Sequence, residues 1–149
     1  MLQHERAVLS DIARLAALRA STREELWRRL NRGRDYLHAN ASEQMSLSDA
    51  ARVACLSPFH FLRSFKQAFG VTPHQYLTQR RLERAKFLLS CTELPVTTIC
   101  LDAGFVSLGS FSALFHRTTG LSPSAWRAQH TNRSGQNRKI REVFLTCRR

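Results

Sequence analysis

The stretch "FGVTPHQY", residues 69–76, returns fifty positions later as "TGLSPSAW", residues 119–126. A glycine, an apolar residue, a hydroxyl residue, proline and then an aromatic is an unusual phrase to write twice. Internal repeats set the architecture, so the match is followed upstream first. Phe61 and Phe65 pair with Phe111 and Phe115, Ser57 with Ser107, Gly70 with Gly120, and Tyr76 with Trp126. Further back the offset falls to forty-nine, pairing Ala51 with Cys100, Cys55 with Gly104, and Leu56 with Phe105. One small unit is present twice, and its second turn is expected to be slightly longer.

Each phrase is a stop followed by a restart. Gly70 suits a left-handed helix end. Thr72 then caps the next helix, and Pro73 sits in its first turn, where a missing amide costs nothing. Tyr76 is placed to pack back on the unit just completed. Gly120, Ser122, Pro123 and Trp126 repeat the pattern. Upstream, Ser48 is read as the cap of a short helix, "DAARVA", ending near Cys55. Ser57 caps "PFHFLRSFKQAF", with Pro58 at its first position. Between the copies, "PHQYLTQRRLERAKFLLS" is an amphipathic helix bearing Tyr76, Leu77, Leu82, Ala85, Leu88 and Leu89, broken by "CTELP". At 1.5 Å per residue it spans roughly 27 Å. The second copy runs through "VTTICLDA", Gly104, a Ser107 cap and "LGSFSALFHRTT".

Apolar residues recur at helical spacing and almost nowhere at strand spacing. Residues 5–19 read as a first helix with Val8, Ile12 and Leu15 on one side. Thr22 and Glu25 have the spacing of a capping box and mark the start of a second helix. Its buried stripe is Leu26, Leu30 and Leu37, with Trp27 beside them, and Asn40 is its stop. The fold class is all-α. Four segments result: an N-terminal helix over 1–21, a first subdomain with the linking helix over 22–90, a second subdomain over 91–130, and a basic, poorly ordered tail over 131–149.

The chain has 149 residues, enough for one domain or two very small ones. Its net charge of +12 points to a polyanionic partner, either nucleic acid or an anionic membrane surface. Residues 131–149 alone carry +5, so the tail is the densest part and suits nonspecific attraction. No stretch is long and apolar enough to span a membrane, and "MLQHERAVLS" lacks the look of a signal peptide. Cys55, Cys91, Cys100 and Cys147 form no Cys-x-x-Cys pair and no zinc spacing. They read as small buried residues or incidental surface thiols, and a reducing cytoplasm suits them. Neither a Gly-rich phosphate loop, a carboxylate pair nor a metal cluster is seen, so no enzyme, cofactor or metal is expected.

Each copy is a short helix, a tight turn and a second helix, the arrangement that sends its second helix into the DNA major groove. The fifth position of each motif is small (Ala51, Cys100), which lets the two helices cross closely. In the first copy Phe59, Leu62, Arg63 and Lys66 share one helical face, while Phe61 and Phe65 point the opposite way. Arg63 can make a two-pronged contact with guanine, and Lys66 can neutralise phosphate. The matching face of the second copy is Gly109, Ser112, Ala113 and His116, with no long bidentate donor.

With these stretches in place, residues from about 26 to 128 resemble the DNA-binding domain of AraC/XylS-type bacterial transcription regulators. "LSPFHFLRSFKQAFGVTPHQYLTQRRLERAKFLL" and "LPVTTICLDAGFVSLGSFSALFHRTTGLSPSAWR" carry the resemblance. It implies two homeodomain-like helix-turn-helix subdomains on a linker helix, reading two successive major-groove segments of double-stranded DNA. It also implies an activator that touches RNA polymerase. By the same resemblance Phe59, Leu62, Arg63, Leu108, Gly109, Ser112 and Ala113 face bases, while Ser57, Lys66, Ser107 and His116 lie near phosphates. His60 is read as mainly structural. Three features depart from the family. Cys55 stands where a glycine is expected, the residues before the motif leave no room for the large effector domain that many members carry there, and the tail matches nothing recognisable. Residues 1–21 could be a coupling helix, a small dimer contact or a packing cap. The rivals are a nonspecific nucleoid-type or RNA-binding protein and a repair alkyl transferase with a reactive cysteine. Charge alone suits the first but leaves two capped, repeated units unexplained.

Overall fold

A computed structural model describes residues 2–131, all of whose regular elements are helices. The basic tail and Cys147, and the side chains of Val8, Ile12 and Leu15, lie outside the described residues. The chain forms two compact units. The first contains α1 (Leu2–Ala39), α2 (Leu47–Val53) and α3 (Pro58–Phe69). The second contains residues 40–45 together with α4 (Pro73–Cys91, from His74 onward), α5 (Val96–Asp102), α6 (Leu108–Thr119) and α7 (Pro123–Thr131).

In the first unit α1 packs on α2 and α3. It is one helix, where the sequence pattern expects two. Thr22 starts nothing: its hydroxyl donates back to the Leu18 carbonyl at 2.9 Å, a bond made inside a continuing helix. Glu25 pairs with Arg29 at 2.9 Å instead of reaching back to a free amide, and this bond holds its carboxyl below the usual range. With no glycine or proline between residues 19 and 22, nothing interrupts the ladder. Residues 16–25 are exposed, so this stretch caps no core with those side chains. Leu30 and Leu37 are buried as expected, but Leu26 is only half-buried. Trp27 is 48% exposed, its ring centroid 5.3 Å from that of Phe69. Gly33 is the residue that lets α1 approach: a Cβ there would stand 2.5 Å from the Phe61 ring and 3.2 Å from the Ala50 carbonyl oxygen.

Ser46, not Ser48, caps α2. Its hydroxyl accepts from the Ser48 amide at 3.0 Å, while the Asp49 carboxylate accepts from the Ser46 amide at 3.2 Å. The carboxylate three residues on makes Ser46 the better cap, since both orphan amides are then satisfied. Phe61 and Phe65 from α3 are fully buried, as are Ala50 and Ala51 of α2, its C-cap Ala54, and Leu30 and Leu37 of α1.

The second unit has a larger apolar centre. Leu82, Ala85, Leu88 and Leu89 of α4 join Ile99, Cys100, Ala103, Phe111 and Phe115, with Phe105, Leu114 and Trp126 packed against them. Trp126 locks α7 down, as the aromatic at the end of the repeated phrase predicts. Its indole N–H donates to the Ser90 hydroxyl at 3.2 Å, and its ring meets Phe115 edge-on with centroids 5.8 Å apart. The Ser122 hydroxyl accepts from the Ala125 amide at 3.2 Å, completing the expected cap.

Candidate nucleic-acid interface

The two turns are built alike. In the first, the Cys55 amide donates to Arg52 and the Leu56 amide to Ala51; in the second, Gly104 donates to Leu101 and Phe105 to Cys100. After the turn each cap carbonyl takes up the first helical bond, Phe61 to Ser57 and Phe111 to Ser107. Three residues carry the first chain path from turn to cap and four the second, so Val106 is the extra residue. It is 78% exposed, which is how an added residue is accommodated without disturbing the core.

The turn needs a left-handed residue. Gly104 supplies it with φ 90, and Cys55 supplies it with φ 54 as the non-glycine residue of positive φ among the described residues. A side chain in this region costs on the order of 1 kcal/mol, partly offset because glycine is freer when unfolded. The Cys55 thiol is exposed and so contributes little packing in return. Cys55→Gly is therefore expected to raise the melting temperature by a few degrees while leaving the preferred DNA site unchanged. Thermal unfolding with site selection checks this, and a clear loss of stability would contradict the strain at this turn.

Both second helices start on a serine. The Ser57 hydroxyl accepts from the His60 amide at 3.3 Å, and the Ser107 hydroxyl from the Ser110 amide at 3.4 Å. Each ends on a left-handed glycine, Gly70 at φ 75 and Gly120 at φ 77. The structural part of His60 is confined to its amide, since the side chain is exposed.

Burial then sorts the faces. On α3, Phe61, Ser64 and Phe65 point inward, while Phe59, Leu62, Arg63 and Lys66 are exposed, Phe59 to 75%. On α6, Phe111 and Phe115 point inward, Leu108 is 42% exposed, Gly109, Ala113 and His116 are exposed, and Ser112 is half-buried. The expected residues thus fall on one side of each helix. Arg63 forms no ion pair or side-chain hydrogen bond with any described residue, in contrast to Arg28, Arg29, Arg34, Arg52 and Arg80, which pair with acids. An exposed guanidinium with no internal task is available to an outside acceptor.

Two arginines of α4 position this second unit, and the sequence pattern marks neither for that role. Arg81 donates from Nε to the Ala41 carbonyl at 2.7 Å and from Nη2 to the Glu43 carbonyl at 3.0 Å, tying residues 40–45 to the helix; burial pushes its pKa down. Arg84 donates to the Asp102 carbonyl at 3.0 Å, placing a cation at the C-terminal end of α5, where the helix dipole favours it. The only signal was the run "QRRLER", in which helical period separates the core leucine from arginines on its flanks. No group of acids, histidines and cysteines able to hold a metal occurs among the described residues. Cys100 is buried, and burial pushes its thiol pKa up, the opposite of what a nucleophilic thiolate requires.

A family model described as a helix-turn-helix domain matches residues 50–129. The arabinose operon regulatory protein of Escherichia coli is 30% identical over 135 residues, covering 90% of this chain and 44% of its own length. This chain therefore spans less than half of that relative. Among solved structures, an AraC-type transcriptional regulator from Chromobacterium violaceum superposes with a TM-score of 0.65 at 32% identity, over 70% of this chain and 93% of its own. The DNA-binding domain of AdpA, solved in complex with a target DNA, superposes with a TM-score of 0.62 at 30% identity, covering 74% and 96%. With its family match spanning both turns and both second helices, the chain belongs to the AraC-type helix-turn-helix family of transcriptional regulators.

Proposed function

We propose that this protein is a sequence-specific DNA-binding transcriptional regulator, working in the cytoplasm, that reads two successive major-groove segments with α3 and α6. One observation carries the reading. Two turns with matching hydrogen bonds and serine caps each present a second helix whose apolar side is buried and whose other side is exposed, and the first of these holds an arginine with no ion pair to a described residue. The solved AdpA complex supports double-stranded DNA as the partner. Phe59, Leu62 and Arg63 on α3, and Leu108, Gly109, Ser112 and Ala113 on α6, face the bases. Ser57, Lys66, Ser107 and His116 lie at phosphates. Transcription is activated through contact with RNA polymerase, which a reconstituted transcription assay on a template carrying the selected site tests.

Competition between selected and random duplex DNA separates this reading from nonspecific binding through charge alone. Salt titration adds a second measure. Each neutralised phosphate releases counterions, so about six to eight contacts give a log–log slope of about −5 to −7. Deleting residues 131–149, which carry +5, is expected to flatten the slope. A flat salt dependence of the intact protein would remove nucleic acid as the partner.

A further inference from the structure

Five glycines fall among the described residues, and four have a reason inside the protein. Gly70, Gly104 and Gly120 hold positive φ, and Gly33 has no room for a Cβ. Gly109 has neither constraint. It is the second residue of α6, it is exposed, and its φ lies outside the left-handed region. A Cβ built on it would meet only the Ser107 hydroxyl, at the ordinary distance of 3.9 Å. Its counterpart in the first unit is Phe59, so this place in the fold accepts even a large ring. Glycine in a helix is less stable than alanine, because it has more backbone freedom to lose. Folding therefore disfavours the residue found here, and nothing among the described residues compensates.

Close approach from outside is the remaining use of a missing side chain. Ala113 stands one turn further along the same face, so Gly109 and Ala113 leave the outer side of α6 thin over its first two turns. We propose that Gly109 is a close-approach position, at which the backbone of α6 comes against the floor of the major groove at a distance that a single methyl would obstruct. The inference rests on the DNA-binding reading and deepens it. The first helix reaches bases with a long donor from further out; the second works by proximity. Its contribution is affinity from a tight fit, with little base preference attached.

Gly109→Ala and Gly109→Leu test this with thermal unfolding and with binding to the duplex that the unaltered protein selects from random DNA. Gly109→Ala is expected to keep or raise the melting temperature, by about 2–4 °C, while weakening binding about tenfold. Gly109→Leu is expected to bind at least as weakly, and the base preferences under α3 should persist in both variants. Unchanged affinity of Gly109→Ala would overturn the proposal, as would a lower melting temperature for that variant, which would show an internal role. If the unaltered protein selects no duplex at all, the DNA-binding reading fails before this one is reached.

Discussion

Arg63→Ala is expected to cost about 1–3 kcal/mol of discrimination at one base pair, or roughly 5- to 150-fold in preference, because a bidentate arginine–guanine contact supplies that much. Arg63 lies on the exposed side of α3, without an ion pair to any described residue, and two buried phenylalanines fix the orientation of its helix. The loss should therefore fall on a single position and leave folding untouched, since no internal bond is removed. Ser112→Ala on α6 serves as the contrast. A half-buried hydroxyl offers one contact at most, and the motif should barely change. Binding measured against a panel of single-base variants of the selected site reads both. An unchanged preference after loss of Arg63 would show that α3 reads DNA by other means.

Gly104→Ala is expected to destabilise the protein by about 2–4 kcal/mol, from two causes acting at one atom. A side chain at φ 90 carries the left-handed penalty of roughly 1–2 kcal/mol. The added Cβ would also stand 2.7 Å from the Ala41 carbonyl oxygen and 2.8 Å from the Arg81 Nε, two groups bonded to each other. Moving them apart breaks the tie between α4 and residues 40–45, and overpacking of this kind costs about 1–3 kcal/mol. Cys55 fills the same turn of the first unit at φ 54, so the comparison isolates the packing part from the backbone part. Chemical denaturation measures the difference. A loss below about 1 kcal/mol would mean that residues 40–45 move aside freely.

Much of this architecture was legible because the helix ends are written in side-chain chemistry. Serine before proline, glycine after a helix and phenylalanine four residues apart are local signals, and Ser57, Gly70, Phe61 and Phe65 sit where they suggest. The shift of register between the copies likewise identified a longer second turn, now traced to Val106. What escaped was decided elsewhere in space. Thr22 and Glu25 have the spacing of a cap, but a helix with no breaker runs through them. Ser48 lost its place to Ser46 because Asp49 completes the bonding there. Arg81 and Gly33 act on partners distant in sequence, a carbonyl forty residues away and the ring of Phe61, and no local pattern encodes either. For the interface, amphipathic period was enough to find the exposed faces. That Gly109 has room for a side chain among the described residues depends on its place in the fold, which no local pattern encodes.

Selection of bound sites from random duplex DNA tests the central claim most directly. The proposed reading by α3 and α6, helices of unequal chemistry, predicts a site of two segments about one helical turn apart. The segment under α3 should carry the stronger base preferences, and the segment under α6 should be tolerant in sequence, read through shape and phosphate contacts. Equal information in both segments would contradict the asymmetry between Arg63 and the small residues of α6, and no enrichment of any sequence would contradict the account as a whole.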